Sequence, residues 1–121
     1  MKMIELDPQV SLGTQMASEL GSVVLINFFR VALVDADALV AAWTDDAHYF
    51  KRQPGFISSQ LHRGIAGSGV FVNYAVWEST AHFRRAFQNP EFAAKLAAYP
   101  ASAEASPHLF QKLAIADVCV A

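Results

Sequence analysis

The sequence predicts one small α+β domain, a single sheet with two helices over one of its faces. Short runs rich in β-branched and aromatic residues alternate with segments of helical periodicity. The length of 121 residues suits one domain. One strand-like run, residues 69–77, is apolar at both odd and even positions, which asks for burial of both sheet faces.

Residues 1–21 have mixed composition and read as an N-terminal arm, long enough to reach a partner subunit. Residues 22–121 form the domain. Residues 22–31, SVVLINFFRV, are dense in strand formers and give the first strand. Asp35 or Asp37 can cap the helix that follows, where Leu39, Val40, Trp43, Ala47 and Phe50 recur at helical spacing. Pro54-Gly55 ends that helix. Residues 56–65 and 69–77 read as the second and third strands, joined through a short glycine-containing hairpin. Ser79 caps a second helix with Phe83, Ala86 and Phe87 inward, and Asn89-Pro90 restarts it, with Phe92 and Leu96 extending the stripe. Residues 99–107 read as a loop and 108–120 as the last strand, with Cys119 a packed strand residue. The order β-α-β-β-α-β is the ferredoxin-like pattern, whose usual sheet is four antiparallel strands.

Composition narrows the function classes. The chain is 54% hydrophobic and 17% charged, an excess of core material for its size. A buried subunit interface, a greasy ligand cavity and a membrane segment compete to explain it. The third is disfavoured because residues 12–29 contain Gly13, Glu19, Gly21 and Asn27, leaving no spanning run. Only Lys2 precedes acidic Glu5 and Asp7, which does not read as a signal peptide, so a cytoplasmic protein is expected. The net charge is −2 and the basic residues are scattered, which argues against nucleic acid as a partner. The single cysteine excludes an internal disulfide. No zinc-like spacing or glycine-rich phosphate loop occurs, and neither metal nor cofactor is expected.

Strand parity selects the residues that could carry chemistry. In the third strand Phe71, Asn73, Ala75 and Trp77 share one face, and Val70, Val72, Tyr74 and Val76 share the other. The first strand puts Val23, Leu25, Asn27 and Phe29 together. Two amides then project among Phe, Trp and Ala, where they can hydrogen-bond a ligand carbonyl or an oxyanion. Alternatively, each amide satisfies a backbone group at a strand irregularity, and Trp77 is simply core. His62 is a candidate proton acceptor or donor, or an exposed residue near the hairpin.

The stretch Gly69-Val70-Phe71-Val72-Asn73-Tyr74-Ala75-Val76-Trp77-Glu78-Ser79, the later Asn89-Pro90, and the upstream Pro54-Gly55-Phe56 turn resemble the antibiotic biosynthesis monooxygenase family over residues 22–118. The pattern N-Y-A-x-W-E-S is most similar to the actinorhodin-pathway branch. That branch oxidises a tricyclic phenolic, anthrone-like compound to a quinone with molecular oxygen and no metal, flavin or haem. The resemblance implies a homodimer, a dimeric α/β barrel, with the second subunit's sheet over the free face. It also implies catalytic roles for Asn73, Trp77 and His62, the first two holding the substrate carbonyl. The aromatic substrate would lie on Phe29, Phe71, Trp77 and Phe83, near Asn27. The family's proton-transferring Tyr falls on Phe83, and its Arg has only Lys95 nearby. A haem-degrading branch matches Asn27 but puts Ala86 and Leu96 where its Trp and axial His belong, so that activity is not expected. The rival class is a binding or protective protein that sequesters an aromatic or quinone unchanged. An isomerase or decarboxylase ranks last, because no carboxylate lies on the pocket strands.

Overall fold

Backbone pairing settles which of these segments share a sheet. A computed structural model describes residues 1–120. Its elements are β1 (Lys2–Met3), α1 (Leu12–Ala17), β2 (Val23–Arg30), α2 (Ala36–Phe50), β3 (Phe56–Arg63), β4 (Val70–Trp77), α3 (Thr80–Phe87), α4 (Pro90–Lys95) and β5 (Glu104–Phe110). The strands form one sheet in the order β1-β5-β2-β4-β3. The β2–β4, β2–β5 and β3–β4 pairs are antiparallel, whereas β1 runs parallel to β5. The sheet is therefore five-stranded and mixed, not four-stranded and antiparallel.

The fifth strand comes from the N-terminal arm, which lies along its own sheet. Lys2 and Met3 pair with Glu104 and Ala105, and Leu12 and Met16 of α1 are buried in the core. The Gln15 side chain accepts a hydrogen bond from the Leu109 backbone N–H at 2.7 Å, so α1 also covers an edge donor that β1 is too short to reach.

The last strand begins and ends earlier than residues 108–120. It runs Glu104–Phe110 and contains Pro107. The Ala105 carbonyl accepts from Ile4 N–H, so odd-numbered backbone groups of β5 point away from β2. Pro107 shares that parity, and its missing donor faces the sheet edge beyond β1. The strand stops at Phe110 because that residue already pairs with Val24, next to the start of β2. Beyond it, Ile115 and Cys119 bridge across a tight turn and Cys119 is exposed, not packed in a strand.

Two of the caps read from the sequence are present; Asp35 sits at the N-cap position of α2 but makes no side-chain capping bond, its carboxylate accepting instead from the Ser102 hydroxyl at 2.7 Å. Ser79 accepts from the His82 N–H, and Asn89 accepts from the Glu91 N–H with Pro90 in the first turn. The buried face of α2 differs by one residue position from the one expected: Ala36, Leu39, Ala42, Asp46 and Tyr49 are buried, while Val40 is exposed.

Two apolar clusters lie between sheet and helices. One joins Val23, Leu25, Trp77, Phe83 and Leu109 with α1; the other joins Phe29, Phe71, Leu39, Tyr99 and Ala105. On each central strand, an asparagine falls between the residues of these clusters: Leu25-Asn27-Phe29 on β2 and Phe71-Asn73-Ala75 on β4. Asn27 and Asn73 are direct cross-strand partners. The core is interrupted there, and a cavity opens.

Candidate active site

The cavity lies between the inner face of the sheet and helices α2, α3 and α4. About 50 Å³ of it is open to the centre of a water-sized sphere, and its atom-free space is about 630 Å³ with the open mouth included. Asn27, Phe29, Asn73, Trp77 and Phe83 all line it. The alternating pleat of β2 and β4 brings the first four to one side; Phe83 descends from α3 and is fully buried.

Four polar atoms on the lining residues are buried without a hydrogen-bond partner: Asn27 Oδ1, Asn73 Oδ1, Trp77 Nε1 and Asp46 Oδ1. An unpaired buried polar group costs about 1–3 kcal/mol. Four on one apolar cavity form a set of hydrogen-bonding positions that a ligand can complete.

Trp77 is at once core and cavity wall. Its ring meets Phe50, Phe56 and Phe83 edge-on, with centroids 5.9, 5.5 and 5.7 Å away. Three edge-to-face contacts fix the indole plane, and the unpartnered N–H is held by a rigid aromatic frame.

His62 is not brought to this site. It pairs with Val72 and is exposed on the opposite face of the sheet. The reason is a bulge between Phe56 and Ser58. Phe56 and Ser59 both line the cavity although they differ in sequence parity, because the extra residue switches the strand's alternation. Leu61 and Arg63 then share the inner side opposite Asn73 and Phe71, and His62 turns outward. Phe71 has the expected orientation and is buried, but it packs in the second cluster outside the cavity lining, with the Arg63 guanidinium 5.1 Å from its ring centroid.

Asp46 and Tyr99 are the polar residues that sequence reasoning missed. Asp46 is only 4% exposed, and its Oδ2 accepts a 2.5 Å hydrogen bond from the Tyr99 hydroxyl. Burial lifts the Asp46 carboxyl to about 6, against the opposing pull of the Tyr99 hydrogen bond. Tyr99, placed by sequence in a loop, is buried and stacked on Phe29 at 6.0 Å, and burial together with Asp46 raises its hydroxyl well above the ordinary range. The signal for Asp46 was its spacing: Leu39, Ala42, Asp46 and Tyr49 follow one another at helical intervals. In the pair Asp45-Asp46 only the second lies on that stripe; exposed Asp45 forms a 2.9 Å ion pair with Lys95.

Comparison with known proteins gives a consistent picture. The family model for antibiotic biosynthesis monooxygenase matches residues 22–98. Deoxynogalonate monooxygenase of Streptomyces nogalater is 44% identical over 46 residues, 38% of this chain and 39% of that enzyme; the match thus spans well under half of the relative's length. The crystal structure of SnoaB, described as a cofactor-independent oxygenase from Streptomyces nogalater, superposes with a TM-score of 0.69 at 29% identity, covering 81% of this chain and 99% of that one. Rv0793 from Mycobacterium tuberculosis shares the fold, with a TM-score of 0.63 at 18% identity over 79% of this chain and 99% of that one. The match supports the family as a whole, and two of the similar proteins come from Streptomyces nogalater.

Proposed function

Because this chain belongs to the antibiotic biosynthesis monooxygenase family, we propose that it is a cofactor-independent monooxygenase that oxidises a phenolic, anthrone-like polycyclic aromatic to a quinone with molecular oxygen. The observation that carries this reading is the set of unpartnered polar atoms on Asn27, Asn73 and Trp77 inside an apolar cavity. Trp77 Nε1–H donates to the substrate carbonyl. The two side-chain amides offer both donors and acceptors to that carbonyl and its neighbouring phenol hydroxyls. Phe29 and Phe83 supply apolar ring surface.

The chemistry asks little else of the protein. An electron-rich enolate reduces oxygen directly, so the site need only bind, orient and stabilise developing negative charge on the carbonyl oxygen. Sites for drug-sized ligands span roughly 300–1,000 Å³. A three-ring substrate therefore fills the mouth as well as the interior, with half-buried Trp43, Phe50 and Phe87 along its length.

The test is quinone formation from an anthrone under air. Wild type is expected to exceed buffer, and Asn73→Ala to lower kcat/KM by about 10²-fold, the scale of one lost oxyanion donor. Equal rates for Asn73→Ala and wild type, or no gain over buffer, reject the reading. The fully buried, hydroxyl-free Phe83 favours a second reading, a protein that shelters an aromatic compound without turning it over. Saturable quenching of tryptophan fluorescence by a ligand recovered unchanged supports that alternative.

A further inference from the structure

We propose that Asp46, held by Tyr99, is the group that takes the substrate's proton in this cavity, an assignment that rests on the monooxygenase reading. The geometry divides the carboxylate into two working halves. Oδ2 is tied to the Tyr99 hydroxyl at 2.5 Å, while Oδ1 is buried, unpartnered and belongs to a cavity-lining residue. Tyr99 is itself clamped by its stack on Phe29, which fixes the carboxylate plane. One oxygen is thus positioned and the other left for a ligand, the arrangement a general base needs. His62 on the far face cannot serve, and Phe83 has no exchangeable proton.

The electrostatic surroundings suit the role. From α2, Asp45 raises the Asp46 carboxyl; from α4, Lys95 lowers it; the Tyr99 hydroxyl lowers it by hydrogen bonding. The cavity-lining residues of β2, β3, β4 and β5 carry no charge. Among the described residues of the lining, Asp46 is the one whose side chain carries a charge. A carboxyl titrating at about 6 is ionised at neutral pH yet far more basic than an ordinary aspartate.

The step balances as follows. A proton moves from the activated CH₂ carbon to Asp46 Oδ1, and the C–H electron pair remains as the enolate, whose oxygen accepts from Trp77 Nε1–H and from the Asn73 Nδ2–H group. One electron passes to molecular oxygen, and the substrate radical and superoxide combine to form a C–O bond and a peroxide anion. Asp46 returns its proton to the outer peroxide oxygen. The carboxylate then removes the second hydrogen from that carbon, the O–O bond breaks, and hydroxide leaves as C=O forms. Hydroxide takes the proton from Asp46 as water. In net terms CH₂ and O₂ give C=O and H₂O, and the aspartate is restored.

A probe that needs a base but no oxygen separates this assignment from the oxygenase reading. 5-Nitrobenzisoxazole opens when a base removes its ring proton, releasing a coloured phenolate. Wild type is expected to open it with a rate that rises through about pH 6. Asp46→Asn should lose about 10²-fold or more, the range of general-base contributions. Tyr99→Phe, which loses the hydrogen bond that lowers the carboxyl, should stay active with its rising limb moved to higher pH. Asp46→Asn keeps the shape of the site, and its melting temperature checks the fold. Opening by wild type no faster than by free acetate, or by Asp46→Asn within about twofold of wild type, overturns the proposal. Benzisoxazole opening without quinone formation from an anthrone sinks the oxygenase reading and leaves the base assigned.

Discussion

Asp46 has a consequence for stability that is independent of catalysis. Its carboxyl rises from 3.8 to about 6 on folding, chiefly through burial. The folded chain therefore holds the proton more tightly than the unfolded chain does. Stability is greatest, for this group, below about pH 4, falls as pH rises to about 6, and is level above that. A shift of roughly two pK units corresponds to about 3 kcal/mol. Asp46→Asn, which keeps an acceptor for Tyr99 without a charge, should be more stable than wild type by about that amount at pH 8. The two proteins should converge near pH 4. Urea unfolding at several pH values measures the gap, and a gap independent of pH would refute a buried titrating carboxylate.

At the scale of elements, the caps and turns hold the helices over the cavity. Ser79 accepts from the His82 backbone N–H at 3.1 Å and bonds its ring Nδ1 at 2.7 Å. Ser79→Ala should cost about 1 kcal/mol, as N-cap losses do. Gly55, between α2 and β3, is less tolerant. Its φ is +84°, and a Cβ there would collide with the His82 ring. Gly55→Ala should cost roughly 2 kcal/mol or more, strain and collision acting together. Thermal melts of the two variants test the order; a Gly55→Ala protein as stable as Ser79→Ala would contradict the turn geometry.

For the whole molecule, the outer face of the sheet is the open question of burial. The helices cover only the inner face. Outside, Phe28 is 43% exposed, Tyr74 40% and Val70 40%. These residues lie on the three successive outward-facing rungs Ile26–Tyr74, Phe28–Val72 and Arg30–Val70 of the β2–β4 ladder. We infer that a second copy of the chain covers this face, as the family resemblance implies, since contiguous apolar patches of this kind mark interfaces. Tyr74→Asp should shift the protein from dimer to monomer in analytical ultracentrifugation, because a charge would then be buried in the interface. A wild-type monomer at micromolar concentration would end the inference. Among the described residues, no helix is long and apolar enough to cross a membrane.

The sequence by itself determined the inner faces of β2 and β4, the two caps and the broken helix. Each follows from a local rule: side chains alternate along a strand, and a capping side chain reaches a backbone N–H two or three residues on. Asn27, Phe29, Asn73 and Trp77 therefore share the helix-facing side that strand alternation predicts, and all four line the cavity. Only the tertiary structure decided His62, Asp46, Tyr99 and Pro107. The bulge that turns His62 outward depends on how β3 meets β4, and Pro107 fits its strand because β1 leaves that stretch of edge unpaired. The burial of Asp46 depends on a tyrosine 53 positions away. Pairings between distant segments set these four, and they leave no local trace in residue type or spacing strong enough to outweigh the ordinary preference of charge for water and proline for loops.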